Sequence, residues 1–266
     1  MLVDWEDDGG INPTYTQPEA DSDAPTDVPF VLMGSLQFSD ACLRAYAHPE
    51  LLRVAEAVNG KDFAPFHESL FIKDPGIGAA VSWHQDGNTH WDSDDFDEGI
   101  HGFNFMAQVY GSTAVNGVWV LPGSHKLGKI DITKLVEQSG SERIAGTVPL
   151  VCNPGDVVIC NRQLVHGSFP NSGFEPRVTV NFGFHRRSSV LGVMGAGMHS
   201  QAEVYDAALI AKRSQVLGYA IEARKQRYPA EEAYRYQPFV ESQQSFTWDE
   251  TAKATLKDYN LHDLSI

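Results

Sequence analysis

The sequence has no run of the roughly 18 apolar residues that a membrane-spanning helix needs. It also lacks the basic, then apolar, opening of a secretory signal: it begins Met1-Leu2-Val3-Asp4-Trp5-Glu6-Asp7-Asp8. Positive charge is scarce, with 20 Lys and Arg against 35 Asp and Glu and a formal net charge of −15. The global basic footprint of a nucleic-acid or anionic-lipid binder is therefore missing. Cysteine is scarce too. Cys42, Cys152 and Cys160 are widely spaced and odd in number, so they offer neither a C-x-x-C metal pair nor a disulfide framework, as expected in a reduced cytoplasm. There is no internal repeat. What is present is 266 residues, 42% of them hydrophobic, enough for one sizeable core. The expectation is a single cytoplasmic domain over residues 1–266 with no nucleic-acid or membrane partner; the oligomeric state stays open.

Residues 1–28 are rich in Asp, Glu, Pro, Gly and Thr and read as an irregular arm. Over residues 36–58, Leu43, Ala47, Leu51, Leu52, Val54 and Ala55 recur at helical spacing, with Ser39-Asp40 as a start signal. From Ser69 to about Phe184 the texture is β. The runs Leu70–Ile72, Phe103–Tyr110, Val118–Leu121, Val148–Val151, Val157–Cys160 and Val178–Phe184 are separated by Gly- and Pro-bearing turns such as Asp74-Pro75-Gly76 and Asn153-Pro154-Gly155-Asp156. Many short strands of this kind read as a sandwich or barrel. Residues 201–228 return to helical periodicity, stopped by Pro229, and the last 35 or so read as a packed polar and aromatic tail.

The strongest local feature is Trp83-His84-Gln85-Asp86. In an extended strand, residues two apart face one side, so His84 and Asp86 can share a metal. His166, just after the apolar run Val157–Cys160, is the best third ligand. Two histidines and one carboxylate on one face leave positions open, which suits non-haem Fe(II) and oxygen chemistry. Arg177 follows His166 by eleven residues, across the turn Pro170–Gly173. That spacing allows two antiparallel strands that return Arg177 beside the metal, where a guanidinium fork suits a carboxylate. A 2-oxo dicarboxylic acid needs both: one end chelates, the other is clamped. Taken singly, each residue has an ordinary reading: a chance His-x-Asp pair, a hydrogen-bonded histidine, a solvated arginine. The specificity lies in the constellation.

His84-Gln85-Asp86, the segment from Asn116-Gly117 to Pro122-Gly123-Ser124-His125-Lys126, then Pro154-Gly155-Asp156, then His166-Gly167-Ser168 with Pro170-Asn171-Ser172, and Arg177 together resemble the phytanoyl-CoA dioxygenase family over about residues 65–187. The resemblance implies a mainly β fold with flanking α: a double-stranded β-helix (jelly-roll, cupin-like) core over 65–187 with the 201–228 helix beside it. It implies Fe(II) held by His84, Asp86 and His166, 2-oxoglutarate as cosubstrate with Arg177 on its distal carboxylate, and O₂. The reaction implied is hydroxylation of an unactivated C–H bond of a small molecule, with release of succinate and CO₂. Asp86 favours that outcome, since halogenases of similar build lack this carboxylate. The alternatives are desaturation, ring closure or carbon–heteroatom cleavage at the same site, and a non-catalytic jelly-roll binding protein.

Further residues carry two readings each. Ser168 shares a face with His166, and Thr179 with Arg177; either hydroxyl is a cofactor contact or an ordinary strand hydroxyl. Gln108 faces the oxo-acid or is a buried amide bonded to backbone. Lys73 resembles a family strand end and equally fits a surface lysine. His125 reads as structural or exposed. Trp91 is a candidate for the substrate mouth. Arg187, on the period-2 face that starts at Arg177, is a candidate substrate contact at the pocket rim, or pairs with surface acids. The acidic run Asp92–Glu98 fails as a calcium loop, because the sixth and twelfth positions are Asp97 and Phe103; a solvated loop or an active-site lid remains.

Overall fold

Turn chemistry and alternating apolar positions set the strands. The computed structural model describes residues 14–16, 28–86, 102–195 and 203–256. In chain order the strands are β1 (Thr14–Thr16), β2 (Val28–Met33), β3 (Ala64–Lys73), β4 (Val81–His84), β5 (Gly102–Gln108), β6 (Trp119–Val120), β7 (Val148–Pro149), β8 (Val157–Asn161), β9 (His166–Ser168), β10 (Arg177–His185), β11 (Met194–Gly195) and β12 (Glu203–Val204). One sheet has the order β1-β2-β3-β10-β5-β8, a second β4-β9-β6-β7, and β11-β12 form a separate ribbon. All the pairings are antiparallel. The two larger sheets face each other as a jelly-roll. Met106 and Cys160 of the larger sheet meet Val120 of the smaller, and Val118 just before that strand, in a shared apolar cluster.

The outer face of the large sheet is covered by helices. Phe105, Val180, Phe182 and Phe184 pack there with Leu36, Leu43, Tyr46, Leu52, Phe63, Leu217 and Ala220. Ring contacts tie this core together: Phe184 lies 5.0 Å from Phe63 and 5.2 Å from Tyr46, centroid to centroid. Even-numbered residues of β10 thus belong to the core, and odd-numbered ones face between the sheets.

Four expectations change. The 36–58 segment is not one helix but three, Ser35–Phe38, Asp40–Tyr46 and Pro49–Asn59. Ser39 is extended and caps the second through Cys42 N–H, and the residue before Pro49 leaves the helical region. The irregular arm contains β1, whose backbone pairs with β2 despite its Pro- and Thr-rich composition. The 201–228 helix begins only at Ala207, where the Asp206 side chain caps Leu209 N–H; Glu203–Val204 is strand. The helix Ile132–Ser139 lies in a stretch assigned no element, and the tail forms the short helices Gln237–Glu241 and Glu250–Leu256. No described helix is long and apolar enough to cross a membrane.

Phe184→Ala is expected to cost about 3–5 kcal/mol, as for other buried Phe truncations, because Phe184 is fully buried among aromatic neighbours. Against a typical total of about 5–15 kcal/mol, the variant should stay folded with a much lower denaturation midpoint. Urea unfolding followed by circular dichroism measures this; a midpoint equal to wild type would disprove the core assignment.

Candidate metal and cosubstrate site

His84 ends β4 and stands opposite His166 on β9. Strand pairing, not loop geometry, therefore sets the two imidazoles side by side, with ring centroids 4.1 Å apart. Asp86 lies just beyond the strand. Its N–H donates to the Arg162 carbonyl at 3.0 Å, which keeps the chain on course. Gln85 points the other way: its amide donates to the carbonyls of Gly128 and Gln163 and accepts from Ile130 N–H. The alternation expected of His-x-Asp is thus physical, with two residues turned inward and the middle one tying down two loops.

Nδ1 of His84 faces the Ser82 carbonyl at 2.7 Å, and Nδ1 of His166 faces the Leu164 carbonyl at 2.9 Å. A carbonyl only accepts, so Nδ1 carries the proton and Nε2 keeps its lone pair. Asp86 Oδ1 lies 3.4 Å from His84 Nε2, and Oδ2 lies 3.9 Å from His166 Nε2. One ligand atom from each residue fits within 4.8 Å of the others. Two neutral nitrogens and one carboxylate, already oriented by backbone, fit a divalent iron with positions left open.

The electrostatics agree with that fit. Burial works against a charge on Asp86, but His166, a protonated His84 and the Arg162 guanidinium outweigh it and, until a metal takes the two Nε2 atoms, hold the carboxyl well below the usual range. Asn104 Nδ2 also donates to Asp86 Oδ2. Burial opposes protonation of His84, yet Asp86 raises its pKa; burial and His84 lower that of His166. Cys160, across from Asn104 in the β5–β8 pair, is pushed up to about 12 by burial and then Asp86. It stays a thiol and adds no thiolate ligand.

Arg177 does not return in the same sheet as His166, as the spacing suggested. It starts β10 in the large sheet, while His166 lies in the small one. The two therefore face across the barrel. Arg177 is 3% exposed; its Nε donates to Thr179 Oγ1 at 3.0 Å, and Nη1 approaches the Asn116 carbonyl at 3.4 Å. Thr179 in turn donates to Gln108 Oε1 at 3.0 Å, while the Gln108 amide N–H bonds the Met106 carbonyl. Gln108 is thus a buried amide bonded to backbone, as one of its readings had it, and it also accepts from the Thr179 hydroxyl that holds Arg177.

Lys73 is not on the surface. It is fully buried, directly opposite Arg177 in the β3–β10 register. Its Nζ donates to Ser168 Oγ at 3.0 Å and to the Phe169 carbonyl. Asn171 donates to the Lys73 carbonyl at 2.9 Å, so the Pro170-Asn171-Ser172 motif fixes the strand end that carries the lysine. Among the described residues neither Lys73 nor Arg177 has a carboxylate partner. Burial, then Arg177, draws the Lys73 ammonium down to about 7, and burial draws Arg177 to about 10. Two desolvated cations side by side call for an anion.

The remaining candidates separate. Trp91 and the run Asp92–Glu98 lie outside the described residues. β10 stops at His185, short of the expected continuation to Arg187, which instead opens the helix Arg187–Val190. Arg187 is half-buried there and acts electrostatically on Tyr205 and Tyr236, on the helix side of the sheet. His125 sits in a short 3-10 turn outside the metal cluster, where its neighbour Ser124 accepts from Val165 N–H. Asn104 and Arg162 were not singled out in the sequence; for Asn104 the available signal was a lone amide in the aromatic run Phe103–Phe105.

The profile of the phytanoyl-CoA dioxygenase (PhyH) family matches residues 9–179. Phytanoyl-CoA dioxygenase 1 of Oryza sativa subsp. japonica is 32% identical over 114 residues, 39% of this chain and 38% of that protein. Dioxygenase lolE1 of Epichloe uncinata is 29% identical over 143 residues, 50% of each chain. The match thus spans half or less of these curated relatives. The crystal structure of EctD from S. alaskensis with 2-oxoglutarate and 5-hydroxyectoine aligns with a TM-score of 0.52 at 23% identity, over 65% of this chain and 63% of that one, a likeness of fold. The profile match takes in more than half of the sequence and contains the His84, Asp86, His166 and Arg177 positions. The chain belongs to the phytanoyl-CoA dioxygenase (PhyH) family.

Proposed function

We propose that the protein is an Fe(II)- and 2-oxoglutarate-dependent dioxygenase that hydroxylates a C–H bond of a small molecule, releasing succinate and CO₂. One observation carries this reading: a two-histidine, one-carboxylate cluster shares the barrel with two buried cations that have no described acid. A dianion with a chelating end and a free carboxylate answers both halves. Iron bound at the cluster supplies the oxygen chemistry. His84 Nε2, His166 Nε2 and an Asp86 oxygen hold it. Arg177 and Lys73 receive the distal carboxylate, with Thr179 and Gln108 fixing the guanidinium and Ser168 and Phe169 fixing the ammonium. Burial of Lys73 and Arg177 keeps water off that pair, which strengthens its charged contacts. Asp86 supports hydroxylation over halogenation, because it occupies the ligand position that a halide needs.

The direct test is 2-oxoglutarate-dependent succinate formation by the iron-loaded protein. Asp86→Ala should remove bound iron and activity together, since it deletes the anionic ligand; full iron occupancy with normal turnover would sink the assignment. Arg177→Ala forfeits a charged hydrogen bond worth about 1.5–3 kcal/mol, so half-saturation by 2-oxoglutarate should rise roughly ten- to a hundredfold. Arg177→Lys should recover only part of this, lacking the fork.

Lys73 gives a pH dependence with a defined sign. Above about pH 7 its amine is neutral in the free protein, and a bound carboxylate favours the charged form. Binding 2-oxoglutarate then takes up a proton. Affinity should fall as pH rises from about 7 to 9, by at most about tenfold per unit. Lys73→Met should bind more weakly and flatten the profile. Calorimetry in buffers of different ionisation heat measures the proton uptake; an equally steep profile in Lys73→Met would assign it elsewhere.

A further inference from the structure

The members of the metal cluster are held in different ways. Each imidazole is fixed through its own Nδ1–H, which donates to the carbonyl two residues before it. The Asp86 N–H donates to the Arg162 carbonyl, which holds the backbone but not the last torsion of the side chain. That torsion is soft, with a broad two-fold preference in place of staggered wells. Distance leaves the choice of ligand atom open as well: Oδ1 stands 3.4 Å from His84 Nε2, and Oδ2 stands 3.9 Å from His166 Nε2. A carboxylate free to turn can meet a metal through either oxygen or through both.

Asn104 settles the torsion. Its Nδ2 donates to Asp86 Oδ2. It lies mid-strand in β5, paired with Gly183 of β10 on one side and with Cys160 of β8 on the other, and is 2% exposed. A donor so placed does not follow a turning carboxylate. Chemistry fixes which end of the amide is which, because an ionised carboxylate only accepts. The other end, Oδ1, is buried with no partner among the described residues. A half-paired amide inside a sheet lowers stability. The fold alone would be better served by an apolar side chain, as at Met106, the next position on that face. The contact with Asp86 is what the amide contributes.

We infer that Asn104 is a positioning residue for the metal centre: it keeps Asp86 Oδ2 on the protein side, so that Oδ1 alone meets the metal and a coordination position stays open. Two imidazoles, one Asp86 oxygen and two atoms of a chelating oxo-acid leave room for a reactant; a second Asp86 oxygen would take that room. The inference deepens the oxygenase reading and rests on it for the use of the open position.

The test compares wild type with Asn104→Leu, and with Asn181→Leu as a control, since Asn181 is another amide with an unpaired Oδ1 but stands opposite Met106. Mn(II) affinity is measured by electron paramagnetic resonance, and the Mn(II) complexes are crystallised with and without 2-oxoglutarate. Loss of a partner that orients a metal ligand lowers metal affinity roughly ten- to a hundredfold; that fall is expected for Asn104→Leu and not for Asn181→Leu. In the crystals, Asp86 should meet the metal through Oδ1 alone in wild type, and turn to bring Oδ2 onto it in Asn104→Leu. Wild-type affinity in Asn104→Leu, an equal fall in Asn181→Leu, the same single-oxygen contact without Asn104, or both oxygens on the metal in wild type each overturns the inference. The metal-free melting midpoint separates positioning from folding: it should fall by no more than about 2–4 °C in Asn104→Leu. Asn104→Ala is read in its place if the Leu side chain disturbs the sheet, and a larger fall in both makes Asn104 a residue of the fold and overturns its positioning role. Wild type that holds Mn(II) through Oδ1 but takes up no 2-oxoglutarate sinks the oxygenase reading and leaves the Asn104 contact standing; wild type that binds no Mn(II) sinks both.

Discussion

Asp86 is a carboxylate held between two sheets, and its neighbours are what an ion in that position requires. A lone charge there would lose several kcal/mol of hydration. Two imidazoles, the Asn104 amide and the Arg162 guanidinium surround it instead. The same requirement runs with opposite sign at the other station. Lys73 and Arg177 are desolvated together, and their described partners are neutral oxygens of Ser168, Phe169, Thr179 and Asn116. Neutral dipoles orient the cations without neutralising them. The barrel thus holds a carboxylate among imidazoles and amides at one place and a pair of basic side chains among neutral dipoles at another.

Placement of both stations follows from pairing rather than from loops. His84 and His166 are cross-strand partners in the small sheet, as Lys73 and Arg177 are in the large one. The link from Lys73 Nζ to Ser168 Oγ joins the two sheets, so the distance between stations is set by how the sheets pack. Off-site residues serve this geometry. Asn171 pins the end of β3, and Gln85 pins the loops at Gly128 and Gln163. Family motifs that look like punctuation are, in this fold, clamps on strand ends.

Local signals made part of this legible. His84 and Asp86 share a short segment whose alternation states their common side, and the Gly- and Pro-bearing turns mark strand ends from Lys73 to Arg177. Non-local facts were harder to read. Lys73 has no local sign of burial; its surroundings come from β9 and β10, nearly a hundred residues later. Spacing between His166 and Arg177 implied a return, but not that the return enters the opposite sheet. β1 could not be read because strand character there comes from pairing with β2, against composition. Breaks at Ser39 and before Pro49 were foreshadowed by the start signal and the proline, yet apolar periodicity ran straight through them.

The alternation along β10 has a consequence for how such an enzyme changes. Its even positions, Val180, Phe182 and Phe184, hold the helices to the sheet, and its odd positions face between the sheets. Folding and chemistry are written on the same nine residues but on opposite sides of them. Substitutions at the inward positions leave the helix contacts of Val180, Phe182 and Phe184 untouched. The strand is therefore a two-sided surface: one side answers to the fold, and a library confined to the other side leaves the helix packing in place.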